Sequence, residues 1–405
     1  MLTFDQARRA IIRELGLIAH PDALRREIVP LSESLGRTLA QEVRADRLYP
    51  PFDRSLRDGF AVRSSDVVSG ARLKCVGELK AGDAPAGSVA PGTCMQIMTG
   101  AAVPQGADAV VMIEHTRTEG DTITFDRSAN AGQHIVPRGR EAAEGQLLLP
   151  RGARIGFAEI AVAAQVGAVE LEVFHKPRVA ILSTGDEVVA AETTPGAFQI
   201  RNSNTYSLAA QVALHGGEPA VLVSAKDTEA DLREQITQGL RNDMLVLSGG
   251  VSAGKYDLVE NVLRALGADF HFDAVAIRPG KPAVFATCQN KPVFGLPGNP
   301  VSTMVTFELF ASLALHLLSG AEAKPLAFLE ARLGESLHEK TGLAHFLPAR
   351  VDWPDGAPSV TPIRWQGSGD LTAVAKSNCF LYLPADCSDL PVGETVSVLL
   401  RRDVL

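Results

Sequence analysis

The sequence is poor in the features that mark cross-linked, metal-stapled, membrane-inserted or polyanion-binding proteins. Its five cysteines, Cys75, Cys94, Cys288, Cys379 and Cys387, are scattered, and none stands in a Cys-x-x-Cys pair. That argues against a disulfide framework or a structural zinc, and for a reducing compartment, the cytoplasm. The nine histidines show no metal-ligand spacing. There is no basic excess: 39 Lys and Arg face 47 Asp and Glu, a net charge of -8. Non-specific nucleic-acid binding is therefore not expected, although a local basic pocket stays open. The first residues read as an amphipathic helix and lack the apolar core of a signal peptide. The most apolar stretch, residues 301–318, is interrupted by Glu308 and His316. It reads as a buried helix of a soluble protein and not as a membrane span.

What remains is ordinary globular material, 46% apolar and 21% charged over 405 residues. At roughly 100–200 residues per domain, two to four domains are expected. Residues 1–45 look mostly helical, with apolar positions at Ala7, Ile11, Ile12 and Leu15. Pro50-Pro51 stops any helix and forces an extended path. Short β-rich runs at 108–114 and 122–125 then alternate with Gly/Pro/Ala loops, and 156–166 returns to a helical pattern. The expected arrangement is a discontinuous N-terminal domain, 1–49 and 140–176, carrying an inserted β-rich domain, 50–139. From 177 to 322 strands and helices alternate: strands at 178–183, 218–224, 243–247 and 291–296, helices at 203–215, 229–240, 257–266 and 301–318. Continuous apolar strands between helices imply a doubly wound, mostly parallel α/β domain. Residues 325–405 read as a small all-β C-terminal domain, with strands at 346–352, 360–362, 379–384 and 395–400.

Ligands of an open parallel sheet bind beyond the carboxyl ends of its strands. The first strand here ends in Thr184-Gly185-Asp186-Glu187, the second leads to Lys226-Asp227, and the third ends in Gly249-Gly250-Val251-Ser252, followed by Lys255-Tyr256-Asp257. A later connection holds Arg278-Pro279-Gly280-Lys281-Pro282, and the last strand ends in Pro297-Gly298-Asn299-Pro300. One edge thus gathers Asp186, Glu187, Asp227 and Asp257 with Lys255, Arg278 and Lys281. Carboxylates suit Mg²⁺, a hard cation that bridges to substrate phosphates. Cations and helix N-terminal amides suit an oxyanion. Any one of these residues alone would more simply be a cap, a turn or a solvated charge; their convergence points to phosphoanhydride chemistry with an added anion. Gly249-x-x-x-x-Gly254-Lys255 is nearly a phosphate-binding loop, but Tyr256 stands where that loop needs Ser or Thr. No Gly-x-Gly-x-x-Gly marks the first strand-to-helix turn, so a nicotinamide dehydrogenase is poorly supported.

Six ordered motifs make the match specific: residues 50–62 (PPFDRSLRDGFAV), Ile97-Met98-Thr99-Gly100-Ala101, Thr184-Gly185-Asp186-Glu187, Gly249-Gly250-Val251-Ser252, Arg278-Pro279-Gly280-Lys281-Pro282 and Pro297-Gly298-Asn299-Pro300. Over essentially its whole length the chain resembles the molybdopterin molybdenumtransferase (MoeA) family. The resemblance implies an elongated homodimer of four-domain subunits. It also implies Mg²⁺-dependent insertion of molybdate into the dithiolene of adenylylated molybdopterin (molybdopterin-AMP), with AMP released. The molybdopterin adenylyltransferase is the implied further partner. By the resemblance, Asp227 and Asp257 are linked to Mg²⁺ and the adenylyl phosphate. Ser252, Arg278, Lys281, Arg350 and Ser368 match the molybdate pocket, and Asp58, Thr99, Glu141 and Glu187 match positions tied to activity. Asp186, Gly249, Gly250, Ser252, Pro297, Gly298, Asn299 and Pro300 are the expected substrate-binding set.

Three departures stand out: Arg278 where the family usually has Lys, Arg140-Glu141 for Glu-Asp, and Arg54 and Arg57 beside Asp58. They leave open a paralogue handling tungstate or a modified pterin. A non-catalytic molybdopterin-binding scaffold, like the related gephyrin domain, is the other reading. The joint presence of Asp58, Asp186, Glu187, Asp227 and Asp257 favours catalysis. A small-molecule adenylyltransferase is disfavoured by the flanking β-rich domains. Asp58 and Thr99 precede the α/β domain, behind the stiff Pro50-Pro51, so an active site shared between two subunits is expected.

Overall fold

The computed structural model describes residues 1–84, 87–250, 258–401 and 403. They form two compact units, one of Met1–Ala40, Gly152–Gly156 and Leu171–Leu405, the other of Gln41–Arg151 and Phe157–Glu170.

The larger unit begins with helix α1, Phe4–Ile18. Thr3 and Gln6 close a reciprocal capping box at its start, satisfying two of the amide groups that a helix leaves without partners. Phe4, Ala7, Ile11 and Leu15 lie on one face and are buried. Here the expected helical run over 1–45 is corrected. The helix stops at Ile18, Pro21 follows, and Arg26–Pro30 is a strand bounded by a second proline.

A six-stranded sheet forms the centre of this unit. Its elements in chain order are β1 (Arg178–Ser183), α2 (Asn204–Leu214), β2 (Glu218–Val221), α3 (Glu229–Gly239), β3 (Met244–Ser248), α4 (Leu258–Ala265), β4 (Asp269–Phe272), β5 (Val284–Cys288), β6 (Lys291–Leu296) and α5 (Pro300–Leu318). The strand order is β2-β1-β3-β6-β5-β4. The first four strands are parallel, and β5 runs antiparallel to both its neighbours, β6 and β4. Side chains alternate between two cores. Val179, Ile181, Met244, Val246 and Phe294 face α1, α2 and α5. Ala180, Leu182, Leu245, Leu247 and Val293 face α3 and α4. Burial on both faces explains why these strands read as unbroken apolar runs. The β5–β6 hairpin turns at Gln289 and Asn290, both at positive φ, the geometry of a tight two-residue turn.

Helix α5 is the apolar stretch noted in the sequence. It is a core helix: Val301, Val305, Phe307, Leu309, Phe310, Leu313 and Leu315 are all buried. Its Phe307–Ala311 turn is a wide i→i+5 turn. Glu308, in that turn, accepts a hydrogen bond from Gln211 Nε2 (2.7 Å) and lies 3.0 Å from His215 Nε2.

The C-terminal strands Phe328–Leu333, Ala344–Asp352, Ser359–Pro362, Cys379–Leu383 and Thr395–Leu400 make an all-β domain. Cys379–Leu383 pairs with both Thr395–Leu400 and Ala344–Asp352, which closes the sheet on itself. The short strand Ile277–Arg278 runs parallel to Ala344 and His345, and ties the connection between β4 and β5 to this domain.

The smaller unit holds another six-stranded sheet, ordered Ala109–Met112, Gly59–Val62, Thr93–Ile97, Arg72–Leu79, Thr122–Phe125, Thr116–Glu119. Beside it, Val43–Arg44 pairs with Leu147–Leu149. The helix Phe157–Gln165 is pinned by Tyr49, whose hydroxyl donates to Gln165 O at 2.8 Å.

Candidate active site

Strand register builds the site. Ser183 pairs with Ser248, and Ser248 with Leu296, so β1, β3 and β6 end in one line and their following turns meet. The result is a cleft of about 440 Å³ lined by Thr184, Gly185, Glu187, Asn204, Asp227, Gly249, Gly250 and the Pro297–Gly298–Asn299–Pro300 turn, with Pro282 at its margin.

Two glycines explain how the turns come so close. Gly249 and Gly250 have φ of +91° and +64°, conformations that side chains disfavour. A Cβ on Gly250 would stand 2.7 Å from Thr184 Oγ1 and 2.8 Å from Val259 Cγ2. Thr184 is itself buried, and its hydroxyl has no hydrogen-bond partner among the described residues.

The acidic wall comes from two loops. Asp186 Oδ1 accepts from the Asp227 backbone N–H at 3.3 Å. Burial raises the Asp227 carboxyl above its ordinary value, and the neighbouring Asp186 and Glu187 charges raise it further. Among the described residues no three His, Cys, Asp or Glu side chains already converge as a metal-ligand set. Ser252, Lys255 and Asp257 lie outside the described residues. Asp227 follows β2, and Asp257 comes in sequence after β3. The sheet order separates β2 from β3 by β1.

The residues expected to hold the oxyanion are less uniform. Lys281 is exposed and precedes Pro282 of the cleft. Its loop is seated on α5, since a Cβ on Gly280 would meet Thr306 Cγ2 at 2.4 Å. Ser368 reaches the same helix start, its carbonyl accepting from Val301 N at 2.9 Å. Arg278 instead faces Glu339, 3.6 Å away. Glu339 also lies 3.2 Å from Nδ1 of the buried His345. Arg350 donates to its own strand neighbour Asp352 at 3.2 Å. Neither Arg278 nor Arg350 lines the cleft.

Asp58, Thr99 and Glu141 belong to the smaller unit. Asp58 Oδ1 accepts from Thr99 N (2.6 Å) and Thr99 Oγ1 (2.8 Å). These bonds, the backbone one foremost, hold the Asp58 carboxyl below its ordinary range. Glu141 does not join that pair. Its Oε1 accepts from Arg54 Nη2 at 2.5 Å, so two of the departures noted in the sequence are partners of each other.

Sequence reasoning missed Asn204. Asn202-Ser203-Asn204 reads as ordinary chemistry at the head of a helix. Only the sheet order shows that one of these side chains reaches two other strand ends.

Residues 2–167 match the family described as MoeA N-terminal region (domain I and II), 180–316 a probable molybdopterin binding domain, and 330–400 the MoeA C-terminal region (domain IV). The chain is 35% identical over 384 residues to the molybdopterin molybdenumtransferase of Nostoc sp., covering 92% of this chain and 88% of the relative. It is 33% identical over 387 residues to that of Bacillus subtilis, covering 93% and 90%. A solved structure of the molybdopterin biosynthesis moeA protein of Pyrococcus horikoshii OT3 superposes with a TM-score of 0.82 at 27% identity, over 99% of this chain and all of that one. Identity of this extent, sustained through all three matched regions, shows that the chain belongs to the molybdopterin molybdenumtransferase (MoeA) family.

Proposed function

We propose that this enzyme of molybdenum cofactor biosynthesis inserts molybdate into the dithiolene of adenylylated molybdopterin and releases AMP, with Mg²⁺ as its cofactor. The observation that carries the reading is the cleft at the ends of β1, β3 and β6, where an acidic wall faces two glycine-containing turns. A scaffold that only held the pterin would have no use for a carboxyl crowded by two others. Asp227 is held under such crowding, by burial and by Asp186 and Glu187.

That donor set fits a hard divalent cation, which would relieve the repulsion, and Asp227 with Asp257 are the residues we assign to hold it. Bound there, Mg²⁺ would neutralise charge on the phosphate oxygens of the substrate. The chain's own groups do the rest. Gly249 and Gly250 present bare backbone, and so let a substrate approach without a side chain between. The start of α5, whose Pro300 lines the cleft, contributes the positive end of its helix dipole although Val301 N is already given to Ser368 O, and Lys281 adds a positive charge. Charge-assisted hydrogen bonds are roughly twice as strong as neutral ones, and Arg278 and Arg350 already face Glu339 and Asp352, so Lys281 is the strongest single contact we assign to molybdate. Arg278, Arg350, Ser252 and Ser368 complete the proposed oxyanion set, with Arg278 leaving Glu339 when the anion binds.

The domain reading follows the same lines. Residues 177–322 form the pterin-binding domain, 325–405 the C-terminal β domain, and 50–139 an insertion in a discontinuous domain of 1–49 and 140–176. We further assign a homodimer in which Asp58 and Thr99 act at the partner's site, with the molybdopterin adenylyltransferase supplying the substrate. The test is incubation with molybdopterin-AMP, Mg²⁺ and molybdate. AMP release with formation of active cofactor supports the reading. Tight pterin binding with no AMP release supports the scaffold instead, and faster turnover on tungstate than on molybdate supports the paralogue.

A further inference from the structure

We infer that Asn204 is a positioning residue that sets the spacing of the two turns forming the cleft; the inference rests on reading that cleft as the nucleotide-bearing substrate's site. Asn204 is the first residue of α2, yet its side chain takes no part in capping the helix. Asn202 serves there instead: its Oδ1 accepts from Thr205 N at 3.1 Å and its Nδ2 donates to Thr205 Oγ1 at 2.8 Å. The Asn204 amide is thereby free for distant partners. Its Nδ2 donates to Ser248 Oγ and to Gly298 O, both at 2.8 Å.

Those two acceptors are not neighbours in sequence. Ser248 closes β3 and immediately precedes Gly249-Gly250. Gly298 lies in the turn after β6. One nitrogen therefore spans the two turns at the place where their backbones nearly touch: a Cβ on Gly298 would lie 3.6 Å from Gly249 Cα. The orientation of the amide is fixed, because a carbonyl such as Gly298 O can only accept. The nitrogen must face it, and Oδ1 must face away.

Oδ1 is buried and has no hydrogen-bond partner among the described residues. A buried unsatisfied acceptor is destabilising, so packing alone is a poor reason for an asparagine here. The two donated bonds are what the side chain supplies. Its neighbour Thr184 Oγ1 is likewise buried and without a partner beneath the same turn. The cleft floor thus carries unmet polar capacity next to its most tightly fixed backbone, as expected of a surface shaped for a ligand.

Two substitutions separate positioning from space-filling. Asn204→Asp keeps shape and volume but replaces both donors by an acceptor facing Gly298 O. Asn204→Ala removes volume and leaves both acceptors open to water. Positioning predicts that Asn204→Asp is the more damaging. AMP binding, read by calorimetry with Mg²⁺, should weaken by about tenfold, the loss that one broken buried hydrogen bond gives, and Asn204→Ala should weaken it less. Hydrogen exchange at the Gly249, Gly250 and Gly298 amides should accelerate in Asn204→Asp beyond any change at amides far from the cleft. Equal or greater damage from Asn204→Ala, or unchanged exchange at those amides, overturns the inference. If wild-type protein does not bind AMP, the reading of the cleft falls, and amide exchange alone then decides whether Asn204 sets the turns.

Discussion

Replacing Gly250 by alanine separates two physical effects that the structure allows to be counted one at a time. The first is conformational: φ is +64°, and a non-glycine residue in the left-handed region costs about 1–2 kcal/mol. The second is steric. The new Cβ would fall 2.7 Å from Thr184 Oγ1 and 2.8 Å from Val259 Cγ2, and both residues are buried, so neither can swing aside into solvent. Overpacking of this kind costs about 1–3 kcal/mol more. Gly267 is the internal control, since its φ is +84° and a Cβ there meets nothing within 4 Å. Gly267→Ala should lose only the conformational part. Denaturant unfolding of the two variants should therefore differ by about 1–3 kcal/mol, with Gly250→Ala the weaker, and Gly250→Ala should also lose AMP affinity. Equal stability of the two variants, with normal AMP binding by Gly250→Ala, would falsify the close-packed turn on which the cleft depends.

Asp227→Asn should abolish AMP release without destabilising the fold. The Asp227 carboxyl is raised in the folded state, so its charge opposes folding at neutral pH. That opposition disappears below about pH 4, where the unfolded carboxyl is also protonated. The variant's thermal midpoint at pH 7 should equal or exceed that of wild type, and a marked drop would contradict the crowding described. Lys281→Ala should raise the molybdate concentration needed for half-maximal rate by about tenfold, the loss of one charge-assisted hydrogen bond; sulfate, of the same charge and shape, should compete in wild type. An unchanged molybdate dependence would place the oxyanion elsewhere. The Asp58 carboxyl is lowered by its bonds from Thr99, so it contributes stability above its unfolded pKa that is lost as pH falls through the folded value. Asp58→Ala should therefore lower the thermal midpoint at pH 7 but leave it matching wild type in strong acid, with faster exchange at Thr99 N–H; identical midpoints at pH 7 would argue against that anchor. Mixed Asp58→Ala and Asp227→Asn proteins, each inactive alone, should recover toward about a quarter of wild-type activity after subunit exchange if the site is shared in a two-fold dimer. No recovery despite exchange confirmed by mass would confine both residues to one subunit.

The α/β domain was legible because burial on both faces writes the central parallel strands β1, β3 and β6 as apolar runs, whereas the edge strand β2 is mostly exposed. β1 and β6 fall at the residues expected. β4 and β5 were not foreseen. The turn between β5 and β6 is Gln289-Asn290, not a glycine dipeptide, and so gave no hairpin signal. The N-terminal 45 residues read as mostly helical because apolar periodicity in α1 was carried past Pro21, into a segment whose strand Arg26–Pro30 is mostly exposed. Strand-end motifs located the cleft, since every strand end of a parallel sheet points to one edge. They could not give strand order, and order is what makes Asn204 reach both Ser248 and Gly298. Nor could they show pairing between charges. Arg54 with Glu141 and Arg278 with Glu339 look in sequence like independent functional groups, and only the fold shows that each already has a partner.

The most direct test of the central claim is the molar ratio of AMP released to molybdenum incorporated, measured on one sample of protein supplied with molybdopterin-AMP and Mg²⁺ as molybdate is titrated. The account predicts a ratio of one, with no AMP released when molybdate is withheld and none at any molybdate concentration in Asp227→Asn. AMP release independent of molybdate, or molybdenum incorporated without AMP release, would contradict it.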